Sequence, residues 1–325
     1  MKRTIILVAS VIISVQIAAV EIRTLGLIPI GAINNYWIDE GKVLYIPHFR
    51  QNELRVFDLA RWQDRELLHE EGIERWRLDN IFNPVYAQNE QYISVSFVRE
   101  RSRQYQGAVI GTRKAELFPV PVTDLSFPER MAEYYISVQD DGVQFSVLDV
   151  LTNNFTKYII PWSYFPGIIQ KKEREDPISF KDYDPETGNV TISYKHKIIQ
   201  YRYTHYTASI IDGKLEHIKL MFTDDSGEPR YGYSNQMWIL KNGLYLTAKY
   251  KYNLYTRSDS IPYATLIIVD ADGNEIYEYP DFEMRMFDEY FFRLSPDRTK
   301  ILLWGTYLKD DKPGEATYML EIKYD

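Results

Sequence analysis

The sequence predicts an all-β fold in which one short antiparallel unit repeats along the chain. Three observations predict it. Aromatic residues make up 15% of the 325-residue chain, which holds 27 tyrosines, and aromatic and β-branched side chains suit a pleated, half-buried surface. Period-2 alternation and short β-rich runs recur from Ile22 onward, while helical periodicity is scarce. The runs keep a fixed order: an apolar strand, a polar turn, a second apolar strand often ending in Asp, a further turn, a third strand. The best helical stretch is Leu59 to Leu78, with Leu67, Leu68, Ile73 and Trp76, and Gly72 interrupts it.

The first copy runs from Lys42–Pro47 through a polar loop to Leu54–Leu59. The second has Gln91–Val98, Gly107–Gly111 and Glu116–Phe118. In the third, Tyr134–Val138 turns at Gln139-Asp-Asp-Gly142 into Val143–Asp149 and then Lys157–Ile160; Asp-Gly between alternating runs is a hairpin signal. The fourth has Asn189–Tyr194, Thr207–Ile211 and Leu215–Met221 around Asp212-Gly213. The fifth has Leu244–Ala248, Ala264–Asp270, the turn Ala271–Asn274 and Glu275–Tyr279. The sixth has Phe291–Leu294, Lys300–Trp304 and Ala316–Ile322.

Six copies at a spacing of about 50 residues fall in the range of β-propeller blades. Four-stranded sheets set radially can bury both faces against neighbours, which none can do alone. The expected fold is a six-bladed propeller. Seven blades, or two β-sandwich domains divided near 161–177, are the alternatives. Ile22–Ile30 has no blade of its own and is expected to pair with the last blade, protecting two open edges.

Ser295-Pro-Asp-Arg-Thr-Lys300, ahead of Ile301–Trp304, resembles the Ser-Pro-Asp-Gly-Lys turn between the first two strands of blades in TolB-like six-bladed propellers. Arg298 stands where that family has glycine, and Asp184-Pro-Glu-Thr-Gly-Asn189 is similar to a diverged copy. The resemblance implies a propeller over roughly residues 22–325. It implies no single activity, because that superfamily includes binding modules, scaffolds and hydrolases.

The amino terminus has the three parts of a secretion signal. Lys2 and Arg3 form the positive flank, Thr4–Val15 is uncharged and apolar, and Gln16-Ile-Ala-Ala19 ends in small residues. Residues 1–19 are therefore read as a cleaved signal peptide and 20–325 as a single propeller domain. A retained anchor is the rival, but Thr4–Val20 is short for a span and includes Ser10, Ser14 and Gln16. No later run is apolar enough to cross a membrane. Without cysteine, disulfides, thiolate metal sites, a cysteine nucleophile and a lipid-modified cysteine are all excluded. A large exported chain of this kind points to a bacterial periplasmic or secreted protein.

Charge narrows the partners. The chain has 38 basic and 46 acidic residues, and losing Lys2 and Arg3 leaves it at −10, which does not favour nucleic acid. No nucleophile elbow, zinc-binding helix or phosphate loop is present, so no cofactor or metal is expected. The histidines His48, His69, His196, His205 and His217 show no metal-ligand spacing and are expected at a surface or an interface. Asp270-Ala-Asp-Gly-Asn-Glu275 is similar to the start of a calcium loop but is better explained as a hairpin turn.

One distributed feature remains. In a propeller the loops between second and third strands share a face. Here those loops, 48–52, 99–106, 139–142, 195–205, 253–262 and 308–315, together carry +3 in a chain at −10. The candidate binding residues are His48, Arg50, Arg99, Arg101, Arg103, Lys195, His196, Arg202 and Arg257, interleaved with aromatics such as Phe49, Tyr105 and Tyr255. Arg and Tyr are favoured at interfaces. The expected function is a non-enzymatic binding or scaffold module that engages a protein, or an anionic glycan or lipid headgroup, through this face. The alternatives are a secreted carbohydrate-active hydrolase, with carboxylates at the propeller channel, and a purely structural role in an outer layer or filament.

Overall fold

The computed structural model describes residues 20–30, 34–47, 50–78, 92–102, 105–111, 116–120, 130–131, 134–149, 154–166, 178–184, 186–195, 203–223, 231–234, 236–251, 263–279, 284–285, 292–309 and 312–324. Alternating apolar runs broken by Gly, Asp and Pro give strands joined by tight turns, and every pairing is antiparallel.

Strand β1 (Val20–Ile28) comes first in the chain and pairs last in the fold. The first four-stranded sheet is β2 (Asn34–Asp39), β3 (Lys42–Ile46), β4 (Glu53–Asp58) and β5 (Gln63–His69). The second is β6 (Ile73–Leu78), β7 (Tyr92–Arg99), β8 (Tyr105–Gly111) and β9 (Glu116–Val120). The third is β10 (Arg130–Met131), β11 (Tyr134–Val138), β12 (Gly142–Asp149) and β13 (Asn154–Pro161), ending in a short 3-10 turn at Trp162–Tyr164. The fourth is β14 (Ile178–Asp184), β15 (Asn189–Lys195), β16 (Tyr203–Ile211) and β17 (Lys214–Thr223).

The remaining strands form one ten-stranded sheet: β18 (Tyr231–Tyr233), β19 (Trp238–Ile239), β20 (Tyr245–Lys251), β21 (Tyr263–Val269), β22 (Glu275–Glu278), β23 (Met284–Arg285), β24 (Phe292–Leu294), β25 (Lys300–Lys309), β26 (Lys312–Tyr324) and β1. Six units are read in the sequence where five hydrogen-bonded sheets form. The two-residue β23 pairs with both β21 and β25 and ties the last two units together.

The stretch expected to be the best helix is two strands, β5 and β6, which belong to different sheets. Gly72, in the left-handed region at φ 78°, makes the turn between them. Tertiary pairing overrides the weak helical periodicity there. The expected pairing of the first strand with the last unit forms: β1 pairs with β26 from Val20↔Tyr324 to Ile28↔Thr317, with a bulge at Thr24/Gly26.

The inner strands of the first sheet are apolar on both faces, because that sheet packs against two neighbours. On β3, Leu44 and Ile46 face Ile73, Trp76 and Phe97 of the second sheet. Val43 and Tyr45 face the other way, toward Ile28, Ile30, Trp37 and Leu302. Residues on either side of 167–177 share one core: Tyr134, Phe145 and Phe165 pack with Ile178, Phe180 and Val190. The fourth sheet meets the next through Met221 against Met237, Ile239, Tyr245 and Ile267.

The turns behave as their sequences demand. Asp270 Oδ1 accepts hydrogen bonds from the backbone N–H of Asp272 and Asn274, and its Oδ2 accepts from Asn274 Nδ2. The carboxylate that would begin a calcium loop is the organiser of a hairpin turn. At Ser295–Lys300, Ser295 Oγ donates to Asp297 and accepts from Lys300 N, while Thr299 Oγ1 donates to Asp297.

Candidate functional site

Residues of two loops expected on the binding face lie where the first two sheets join. The loop before β4 is fixed to β6 by hydrogen bonds from Trp76 N to Gln51 O and from Trp76 Nε1 to Asn52 O, at 2.7 and 3.0 Å. Trp76 and Phe97 pack edge to face below it. Arg99, at the end of β7, lies over the Phe97 ring at 5.0 Å and donates to Glu70 at 2.7 Å. Arg50 reaches Glu53 at 3.5 Å, and its side chain is 67% exposed. Arg101 is exposed. Arg50 and Arg99 thus stand on backbone at the junction of the first two sheets, with Arg101 two residues beyond Arg99.

Carboxylates accompany these arginines. The backbone alternation puts Glu53 and Arg55 on one face of β4, and Asp64, Glu66 and His69 follow on β5. Arg55 binds Glu53 at 2.9 Å and Asp64 at 2.6 Å, and Tyr45 Oη donates to Asp64 at 2.7 Å. The Arg55 hydrogen bond, with that of Tyr45, holds the Asp64 carboxyl below its usual range. Burial, reinforced by Asp64, pushes the Tyr45 phenol up. Glu53, Glu66 and His69 bring ligand atoms within 4.8 Å of one another, a donor set that could hold a divalent cation. Both Glu53 oxygens already face guanidinium groups, which supply the positive charge a cation would bring.

Of the other predicted site residues, Lys195 ends β15, and nothing is described of its side chain. His48, Arg103, His196, Arg202 and Arg257 lie outside the described residues. Sequence reasoning missed Glu53, Glu66 and Glu70 because they sit on or beside strands, just outside the loop windows, while His69, expected at a surface or an interface, is exposed on β5. Period-2 alternation along Glu53-Leu-Arg55 is the signal that could have found Glu53.

Two buried polar centres lie elsewhere. In the fourth sheet, Ser193 on β15 and His205 on β16 are direct cross-strand partners, with Ser193 Oγ 2.8 Å from His205 Nδ1. They are 1% and 0% exposed, so a serine–histidine pair is present where no substrate reaches it. Farther along, Arg298 binds Asp182 of β14 at 2.6 Å and donates to the backbone oxygens of Tyr183 and Ile239. Burial raises the Asp182 carboxyl, opposed by Arg298 and by the Ile239 and Tyr183 N–H groups. Asp182 and Glu53 are the buried carboxylates among the described residues, and guanidinium groups hold both.

No protein-family model matches the sequence, and no curated protein matches it. Among solved structures, the chain is similar to the catalytic domain of a GH62 alpha-L-arabinofuranosidase from Coprinopsis cinerea, with TM-score 0.38 and 10% identity over 76% of this chain and 92% of that one. It is similar to an endo-arabinase from Bacteroides thetaiotaomicron, with TM-score 0.37 and 9% identity over 93% and 97% of the two chains. The β-propeller domain of the Trilobed protease from Pyrococcus furiosus gives TM-score 0.36 and 11% identity over 75% and 68%. These are likenesses among strand-rich folds, and no activity passes from them to this chain.

Proposed function

We propose that the chain is an exported six-bladed β-propeller acting as a binding module, and that it takes an anionic envelope ligand at the corner between its first two blades. The sixth blade in this reading is β24, β25, β26 and β1, and the fifth runs from β18 to β22. Strand β23 is a local bridge between the two. The observation that carries the function is the Arg50–Arg99–Arg101 corner. Arg50 and Arg101 are well exposed, Trp76 ties the loop that carries Arg50 to β6, and Arg99 lies over the Phe97 ring. A pre-organised guanidinium cluster loses little entropy on binding and matches carboxylate, sulfate or phosphate oxygens in its fork geometry.

The test uses the full exported protein and a variant carrying Arg50→Ser, Arg99→Ser and Arg101→Ser. Retention on an immobilised sulfated polysaccharide and flotation with phosphatidylglycerol vesicles separate a glycan from a lipid source. Affinity on one of them should fall about tenfold or more in the variant, at roughly 1 kcal/mol for each charge near an anionic surface. Equal binding by both proteins would remove this corner from consideration. Export is tested separately: mass spectrometry of extracellular or periplasmic material should find a start near residue 20, and intact Met1 in a membrane fraction would overturn it.

A further inference from the structure

The contact between the fourth sheet and the strands that follow has an apolar part, built on Met221 and Met237, and a polar part. Thr191, Ser193, His205, Ser234, Gln236 and Thr247 are each no more than 4% exposed. Most of this layer is satisfied. Thr191 Oγ1 donates to Met237 O at 2.7 Å, Thr247 Oγ1 donates to Gln236 O at 2.7 Å, and Gln236 N donates to Ser234 Oγ at 3.0 Å. His205 Nε2 and Gln236 Oε1 are buried there without a hydrogen-bond partner. A buried polar group left unpaired costs stability, and native structures rarely keep one without a reason.

The surroundings of His205 decide what that reason is. From β14, Lys181 acts on the ring as a like charge. From β15 the ring meets Ser193, from β16 Tyr203, and from β17 Phe222, whose ring centroid is 4.9 Å away. From the segment before β19 it meets the Ser234 backbone. No carboxylate stands among these neighbours in the described residues. A neutral imidazole fits this setting, with one nitrogen bonded to Ser193. A second proton turns both nitrogens into donors. Ser193 then accepts from one, and the Ser234 backbone favours the charged ring, but burial and the like charge of Lys181 outweigh it and no carboxylate neutralises it among the described neighbours.

We propose that His205 is an acid-sensitive latch: proton uptake by its ring puts an uncompensated charge between the fourth sheet and β19–β20 and opens that contact. The proton comes from solvent and settles on the ring nitrogen lone pair, and no other bond changes. Burial and then Lys181 push the ring down to about 3, against a smaller opposing pull from the Ser234 backbone. The unfolded or opened ring returns to its ordinary value of 6.5. A folded-state value below the open-state value means that the closed state loses ground as pH falls. The loss begins near 6.5 and approaches tenfold in the closing equilibrium per pH unit. The latch stands apart from the ligand reading, since it concerns only whether two sheets stay joined.

The test is amide hydrogen exchange and thermal unfolding of the full protein from pH 7.5 to 4.5, beside His205→Gln and His205→Phe. Wild-type amides in β15, β16 and β20 should lose protection ahead of those in the first sheet, by about tenfold between pH 6 and pH 5. Both substitutions should flatten that pH dependence, whatever they do to stability at neutral pH. If either fails to fold, ring-carbon NMR of the wild-type histidines decides alone. A ring that stays neutral to below pH 4.5 while the protein is closed supports the latch. A ring that titrates near 6.5 in the closed protein, or equal pH slopes in wild type and variants, would overturn it.

Discussion

Arg298 occupies the left-handed region at φ 61°, a conformation that favours glycine. Holding a long side chain there costs about 1–2 kcal/mol. The offset is visible in its partners: the Asp182 carboxylate, the Tyr183 carbonyl and the Ile239 carbonyl. Asp182 in turn accepts from Ile239 N at 2.8 Å, so one guanidinium joins the Ser295 turn, β14 and β19. Replacing Arg298 by Gly should relieve the strain yet strand a buried carboxylate, a loss of about 3–5 kcal/mol before the relief is counted. Chemical denaturation should therefore show R298G destabilised by about 2–3 kcal/mol, and R298G/D182N less so than R298G alone. A neutral or stabilising R298G would show that the ion pair is idle. The Ser295-Pro-Asp turn was legible because its hydrogen bonds span five residues or fewer. The partner of Arg298 was not, because it lies 116 positions away along the chain.

Turns and strand pairs carry the next set of consequences. Asp270 gives its carboxylate to three hydrogen bonds inside its own hairpin, so Asp270→Ala should cost about 1–2 kcal/mol. Adding millimolar calcium should leave the wild-type melting temperature where it was. A calcium-dependent rise would restore the ion-loop reading. In the third sheet, Gly142 opens β12 directly opposite Pro161, and a methyl group there would be driven into the Ile160 carbonyl oxygen. Gly142→Ala should then separate the start of β12 from the end of β13 at about 1–3 kcal/mol, seen as a lower denaturation midpoint with an unchanged slope. The strands themselves were largely readable, since alternation and Asp-Gly turns are local signals. The fourth strand of the first sheet was not: Gln63–His69 is polar and exposed along most of its length, and it is a strand only because β4 pairs with it. The corner site was half-readable for the same reason. Loop arginines announce themselves by composition, but the carboxylates facing them are placed by pairing register.

At the scale of the whole molecule, the first strand of the described chain is hydrogen-bonded to the last. Val20, Ile22 and Ile28 of β1 are each under 9% exposed, and Ile22 shares a core with Leu320 and Ile322. Thr317 Oγ1 also donates to Ile30 O, at 2.9 Å, just past the end of β1. Removing residues 1–30 would take away the buried isoleucines, at about 2–4 kcal/mol each. It would also leave β26, thirteen residues long, as an open edge. A long bare edge is a template for another chain. The truncated protein should accordingly melt earlier than the full chain and form larger species than it does in light scattering as concentration rises. A synthetic peptide of residues 20–30 should reverse both effects, because it returns the missing strand without changing the rest. If the truncated chain keeps the full chain's size and melting temperature, closure by β1 is dispensable and the other sheet contacts hold the molecule. If it associates and the peptide does not rescue it, the fault lies in folding rather than in the open edge. Rescue, by contrast, traces both effects to the β26 edge that β1 covers.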